Sequence, residues 1–130
     1  MCKITNIFPS TSKRKQAKNN GEKAEQFAQQ YLTEQGLTFV ENNFFCKLGE
    51  IDLIFLDHQT YVFVEVRYRT KMAHGSAAES LNANKLAKIT KSATFWLQKN
   101  NKLANPCRFD AVLFDHKIDR QHLTWLKAVL

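Results

Sequence analysis

Two acidic side chains stand where a strand would ordinarily carry an aliphatic residue. Asp52 and Glu65 lie inside the β-branched and aromatic runs of GEIDLIFLDHQTYVFVEVRYRT, which extends from Gly49 to Thr70. The polar DHQT between the two runs predicts a β-hairpin. Carboxylates within paired strands need a stabilising partner, which can be a shared proton, a basic side chain such as Arg67, or a divalent cation.

The length of the turn decides which side chains face each other across this hairpin. If Asp57 pairs with Thr60 across a two-residue turn, the same register places Asp52 opposite Glu65, and a four-residue loop preserves it. Directly opposed residues have Cβ atoms about 4.5–5.5 Å apart, a distance at which like charges repel. Taken singly, each carboxylate is better explained by a structural role, Asp52 as a turn cap and Glu65 as an exposed residue paired with Arg67. Together they favour a cation, because Mg²⁺ accepts one or two carboxylates completed by waters and phosphate oxygens.

Further candidate residues surround the pair. Glu25 lies at the margin of the apolar stripe of the first predicted helix, where it can supply or orient another oxygen ligand. Arg67 and Arg69 continue the strand face of Glu65 and can meet a phosphate. The other candidates for nucleic-acid contacts are lysines that follow in the chain, Lys71, Lys85 and Lys88.

The charge of the chain is high and unevenly spread. A net charge of +7 with a pI near 9.5 favours a polyanionic partner, most simply nucleic acid. Residues 1–20 contain five basic residues and no acidic one, and we interpret them as a flexible basic arm. Residues 21–130 are expected to form a single domain. The alternative to a polyanionic partner is that these charges form an ordinary solvated basic surface.

The sequence argues against several classes of protein. No apolar run approaches the roughly 20 residues of a membrane span, and the N-terminus lacks the apolar core of a secretory signal, so we expect a cytoplasmic protein. The cysteines Cys2, Cys46 and Cys107 are far apart and have no zinc-ligand spacing. We therefore expect neither a zinc site nor a disulfide framework.

Hydrophobic periodicity predicts an α/β fold with a mixed sheet flanked by helices. A helix is expected at 22–35 and a second one around Leu86–Leu97, with Trp96 in its buried stripe. The second helix connects two strands as a crossover, so those strands should run parallel. The predicted strands are 38–46, 49–56, 61–68, 108–114 and, near an edge, 122–129.

At the hairpin the sequence resembles the PD-(D/E)XK nuclease superfamily, and more closely its YraN-like family. The resemblance extends over most of the chain from Gly21 and includes GEKAEQFAQQYLTEQG, GEIDLI, FVEVRYR, HGSAAESL and CRFDAV. It implies a restriction-endonuclease-like αβββαβ core, similar to that of archaeal Holliday-junction resolvases. It also implies that Asp52 and Glu65 bind Mg²⁺ or Mn²⁺, that Glu25 is the acid of the first helix, and that the site hydrolyses phosphodiesters by activating a water.

One position departs from the pattern of the superfamily. The motif lysine is replaced by Arg67, so the implied catalytic set is Glu25, Asp52, Glu65 and Arg67. Arginine remains charged and can stabilise negative charge in the transition state, whereas it does not readily accept a proton. Lys85 of the second helix is a further source of an amine.

Three functions follow as hypotheses. The first is a metal-dependent endonuclease-like protein acting on DNA or RNA. The second is a nucleic-acid-binding module that has the nuclease fold without cleavage, which Arg67 favours. The third is an interaction domain for an acidic protein partner. Cleavage of a branched junction would favour a homodimer, although the sequence contains no self-contained dimer signature.

Overall fold

The computed structural model of the chain describes residues 12–130, with side chains from Asn19 onward. It contains two α-helices and one five-stranded sheet in the predicted order, which confirms the mixed α/β fold. The elements are α1 (Ser12–Glu34), β1 (Thr38–Cys46), β2 (Gly49–Asp57), β3 (Thr60–Arg69), α2 (Ala83–Lys99), β4 (Cys107–Asp115) and β5 (Leu123–Leu126).

The five strands lie side by side in sequence order. β3 and β4 run parallel, as predicted from the helix that connects them, and the other neighbouring strands are antiparallel. The β2–β3 hairpin is closed by Asp57 and Thr60 across a two-residue turn, which is the predicted register. β1 and β5 form the edges of the sheet.

Each helix covers one face of the sheet. Ala24, Ala28 and Leu32 of α1 pack against side chains of β2, β3 and β4 on one face. Ile89 and Trp96 of α2 pack on the opposite face, where Trp96 is buried as predicted. Strands covered on both faces read as long apolar runs. The central strands therefore leave few positions for polar side chains, and each such position needs its own explanation.

The first helix begins earlier than the sequence analysis predicted. α1 starts at Ser12, not at residue 22, and continues through Gly21. The prediction was wrong because it treated a run of positive charge as an arm, although Lys, Arg, Gln and Ala are all good helix formers. Residues 1–11 of the predicted arm lie outside the described residues.

A buried carboxylate joins β5 and the C-terminal segment to β4. Asp110 accepts hydrogen bonds from Arg108 Nε at 3.1 Å, from Trp125 Nε1 at 3.0 Å and from the backbone N–H of Ala128 at 3.0 Å. Arg108 and Asp110, two residues apart on β4, thus form a structural ion pair. Neither helix in residues 12–130 combines the length and apolar character that crossing a membrane requires.

Candidate functional site

β2 and β3 separate where the two carboxylates lie. The strands pair from the turn as far as Leu53 and Val64, and the next pair in this register would be Asp52 and Glu65. At that point Asp52 Oδ2 accepts a hydrogen bond from the backbone N–H of Val66 at 2.9 Å. The Asp52 carboxylate therefore binds the N–H group of Val66, which would have donated to β2 if the ladder had continued. The two strands of the hairpin separate at this point.

Both carboxylates are buried, with Asp52 5% and Glu65 6% exposed. Glu65 Oε2 lies 3.5 Å from Arg67 Nη1 and 3.5 Å from Lys85 Nζ. The interpretation of Glu65 as an exposed surface residue is wrong, although its predicted pairing with Arg67 is present. Lys85 reaches the site from the first turn of α2, which places an amine beside a strand carboxylate.

Burial raises the pKa of both carboxyl groups. Burial raises the pKa of Asp52 to about 8, and the Glu65 charge adds to this rise, while the hydrogen bond from Val66 opposes it. Burial also raises the pKa of Glu65, against the lowering influence of Lys85 and Arg67. A site that penalises two negative charges is stabilised by a proton or by a bound cation.

Glu25 faces this pair from α1. Its side chain is half-buried, and burial together with the charges of Asp52 and Glu50 raises its pKa to about 7. A hydrogen bond with Asn43 acts in the opposite direction. Glu22, one turn earlier, is exposed, as its position on the helix predicts. Glu25 thus lies at the expected edge of the helix, and its role as an outer ligand or an orienter stays a prediction.

The site can supply two carboxylate ligands to a metal ion. In residues 19–130, no three His, Cys, Asp or Glu side chains are grouped so that they could hold a metal ion. Glu25 therefore does not complete a three-ligand set with Asp52 and Glu65. The pair fits Mg²⁺ or Mn²⁺ with waters and phosphate oxygens as the other ligands, which is the donor set that Mg²⁺ accepts.

Arg67 is held in place by a residue that the sequence analysis missed. Its Nε donates a hydrogen bond to Ser80 Oγ at 2.8 Å, and Ser80 Oγ donates to the carbonyl oxygen of Ala77 at 2.6 Å. The guanidinium is thus oriented by β3 and by the short 3₁₀ turn Ala78–Ser80. No sequence signal identifies Ser80, because the segment before α2 has no periodicity that predicts its path.

The remaining predicted contacts are less closely grouped. Arg69 is half-buried, and its Nε is buried without a hydrogen-bond partner within the described part of the chain. Lys71 is exposed in the loop after β3, and Lys88 is exposed on α2. The cations that contact Glu65 are instead Arg67 and Lys85.

A basic groove runs beside the carboxylates, between the tip of the β1–β2 hairpin and the start of α2. The groove has a volume of about 600 Å³, and its principal lining residues are Phe45, Lys47 and Leu48 from the hairpin and Lys85 and Lys88 from α2. We use the term basic groove for this set.

Gly49 lets the hairpin approach α2 closely. Its φ is +147°, and a Cβ at this position would lie 3.1 Å from Ser92 Oγ and 3.6 Å from Lys88 Cβ. A side chain would therefore be strained both by the backbone conformation and by contact with the helix. The glycine of GEIDLI thus fixes the wall of the basic groove, a function that the sequence analysis did not assign.

The fold and site define a small α/β protein whose sheet opens at a buried carboxylate pair beside a basic groove. The chain belongs to the uncharacterised protein family UPF0102, whose model matches residues 24–114. This membership confirms the predicted YraN-like relationship at the level of the family.

Three relatives illustrate the extent of the similarity. The chain is 66% identical over 118 residues to a UPF0102 protein of Marinomonas sp. (strain MWYL1), covering 91% of this chain and 93% of the relative. It is 43% identical over 120 residues to a UPF0102 protein of Colwellia psychrerythraea, with coverages of 91% and 93%. A UPF0102 protein of Dichelobacter nodosus is 43% identical over 123 residues, with coverages of 95% and 98%. None of these three names states an activity.

Proposed function

We propose that the protein is a metal-dependent nuclease of the PD-(D/E)XK type that hydrolyses phosphodiesters in nucleic acid, with DNA preferred over RNA. The observation that carries this proposal is the buried pair of Asp52 and Glu65 at the opening between β2 and β3. A costly arrangement of this kind, with raised pKa values and adjacent cations, is typical of functional sites.

Asp52 and Glu65 would hold Mg²⁺ or Mn²⁺, which supplies charge stabilisation at the phosphate and increases the acidity of a coordinated water. The two carboxyls must release their protons for that purpose. Their raised pKa values make cation binding and proton release a coupled equilibrium, so affinity for the metal should increase with pH.

Arg67 and Lys85 together take the roles that one lysine has in the superfamily pattern. The guanidinium of Arg67 is fixed by Ser80 and stays charged, which suits it to stabilise the developing charge on a phosphate. The amine of Lys85 is a compact donor held 3.5 Å from Glu65 Oε2, which suits it to orient a water or a phosphate oxygen beside the carboxylates. Their shared contact with Glu65 supports this assignment.

A nucleic-acid-binding module without cleavage is the second candidate. The observation that favours it is that Glu65 already has two basic partners, each 3.5 Å from the same oxygen. Two cations beside one carboxylate reduce its need for a metal ion. In that case the basic residues serve affinity for phosphates alone.

A cleavage assay with point variants separates the two candidates. The purified protein is incubated with labelled single-stranded, duplex and four-way-junction DNA and with RNA, in Mg²⁺ or Mn²⁺. Asp52→Asn and Glu65→Gln should each lower the rate by about 100-fold or more, the scale on which one group that stabilises a transition state acts. Glu34→Gln, at an exposed carboxylate of α1, is the matched control and should cleave like the wild type.

Each result has a clear meaning. Cleavage that survives both substitutions would show that the proposed site is wrong. Binding by the wild type without cleavage in either metal would support the module instead. Calorimetric titration with Mn²⁺ tests the metal independently, and equal affinities of the wild type and Asp52→Asn would refute the assignment of the ligands.

A further inference from the structure

We propose that the basic groove binds an unpaired nucleotide next to the carboxylate pair, so that the preferred substrate is single-stranded or locally unpaired nucleic acid. This inference rests on the proposed function, because it assumes that the protein binds nucleic acid. It adds a substrate class, and it assigns the specificity to Phe45, a residue outside the catalytic set.

The hairpin presents an aromatic ring to solvent at the mouth of the groove. Phe45 is 67% exposed and Leu48 is 45% exposed, whereas the neighbouring Phe44 is buried against α2. An aromatic side chain exposed to this extent has no packing role to explain it. Exposed aromatic rings within a positively charged groove are how proteins bind single strands, because every base offers a face for stacking.

The charges around the ring match a polynucleotide backbone. Lys47, Lys85 and Lys88 line the groove together with the acidic Glu50, so the charge of its lining is positive. Lysines on both sides of an aromatic platform can bind the phosphates that precede and follow a stacked base. A groove of about 600 Å³ is also within the usual range for a pocket that holds a small organic group.

The groove is continuous with the candidate active site. Lys85 lines the groove, and its Nζ lies 3.5 Å from Glu65 Oε2. Glu50 also lines the groove, and its charge contributes to the raised pKa of Asp52. A strand that enters along the lysines therefore brings a phosphodiester toward the carboxylates.

The hairpin that carries Phe45 packs against α2, although the ring itself is exposed. Gly49 seats the hairpin directly on α2, and Cys46 Sγ lies 3.7 Å from Ser92 Oγ on the same helix. A hairpin that is already packed needs little rearrangement to accept a base, which favours affinity. Inside a duplex each base is stacked on its neighbours, so an interior base can present its face to Phe45 only when it is unpaired.

Binding without cleavage tests this inference directly. Fluorescence anisotropy in EDTA compares a labelled oligothymidylate, the corresponding oligouridylate and a blunt DNA duplex of the same length. Phe45→Ala should weaken binding of the single strand by about 10-fold, the scale of one lost stacked base, and change duplex binding by less than about twofold. Phe45→Leu should show the same loss, because leucine is apolar but has no π-face. Phe45→Trp should bind the single strand like the wild type.

Two controls distinguish base stacking from a general apolar effect and from self-association. Leu103→Ala removes an exposed apolar side chain outside the groove and should bind like the wild type. Sedimentation of wild type and Phe45→Ala checks for association between copies of the chain. A change of association state without a change in single-strand binding would overturn the proposal in favour of a self-association surface.

The remaining outcomes separate this inference from the proposed function. Single-strand binding by Phe45→Ala or Phe45→Leu that equals the wild type would overturn the stacking role while leaving the nuclease proposal intact. A wild type that binds no nucleic acid at low salt would refute both proposals. Tighter binding of either the DNA or the RNA single strand than of the duplex supports the groove and identifies the preferred sugar.

Discussion

Asp52 links the candidate site to the stability of the fold. Burial raises its pKa to about 8 in the folded protein, whereas an aspartate in an unfolded chain titrates near pH 3.9. Between these values the folded state retains a proton that the unfolded state releases. The free energy of unfolding therefore decreases as the pH rises through this window, which is the behaviour of a group whose pKa is raised by folding. Glu25, with a pKa of about 7, acts in the same direction up to that pH.

Replacement of Asp52 by asparagine should reduce this dependence on pH. Without divalent metal, Asp52→Asn is expected to be more stable than the wild type at about pH 8, by about 1–3 kcal/mol, because it removes a buried charge beside Glu65. The two proteins should differ less at about pH 5, where the wild-type carboxyl is protonated. Urea denaturation at both pH values measures the difference. Parallel pH profiles for the two proteins would show that burial does not disfavour the charged form of Asp52.

Arg67 and Lys85 contact the same carboxylate but differ in chemistry. Lys85→Arg retains the charge but replaces a compact ammonium by a bulkier planar guanidinium, so the displaced donor should cost about 100-fold in cleavage with little change in binding. Arg67→Lys loses the hydrogen bond from Nε to Ser80, and a loss of about 10-fold is expected. Cleavage rates and binding affinities of both variants check the roles, because each substitution should lower the rate more than the affinity. Cleavage equal to that of the wild type in both variants would show that only the charge matters at the two positions.

At the scale of elements, two glycines in the chain should respond oppositely to alanine. Gly49→Ala places a Cβ 3.1 Å from Ser92 Oγ at a φ of +147°, and it should lower the free energy of unfolding by about 1–3 kcal/mol. Gly21→Ala lies within α1 with nothing within 4 Å of the added Cβ, and it should raise that free energy by about 0.5–1 kcal/mol.

A double variant separates the two causes of strain at Gly49. Ser92→Ala removes the close hydroxyl, so the pair Gly49→Ala with Ser92→Ala should recover part of the stability and retain the cost of the positive φ. Denaturation by urea of the single and double variants measures both contributions. A Gly49→Ala protein as stable as the wild type would contradict the close seating of the hairpin on α2.

The pairing of the strands was predictable because it follows from the short segments that connect them. The two-residue turn between Asp57 and Thr60 fixes the hairpin register, and the helix between β3 and β4 requires a crossover that makes those strands parallel. The position where β2 and β3 separate was not predictable, since it depends on Asp52 capturing the N–H of Val66. A side chain that competes with the backbone leaves no periodic signal in the sequence.

Contacts between segments that are distant in the chain were also not predictable from the sequence. Ser80 orients Arg67 from a 3₁₀ turn, and Gly49 supports the groove through a contact with α2. Both contacts join segments whose spatial proximity follows only from the complete fold. The sequence thus identified the carboxylates and the basic residues, while their supports required the packed structure.

Over the whole molecule, the net charge of +7 is not evenly available to a partner. Arg108 is occupied by Asp57 at 2.8 Å and by Asp110 at 3.1 Å, and Arg67 is paired with Glu65. These cations stabilise the fold and the site, so they contribute little to a diffuse attraction. Lys47 and Lys88 of the basic groove are exposed, so they remain available to a polyanion.

The salt dependence of binding distinguishes a localised site from diffuse attraction. Lys88→Ala and Lys91→Ala lower the net charge equally, and both residues are exposed on α2, but only Lys88 lines the groove. If Lys88 contacts a phosphate, its loss should reduce the slope of log K against log salt by about 0.7 for single strands, and Lys91→Ala should leave the slope unchanged. Anisotropy titrations over a range of NaCl concentrations measure both slopes. Equal reductions would mean that the protein attracts nucleic acid through its overall charge alone, whereas a change confined to Lys88 requires a phosphate bound at the groove.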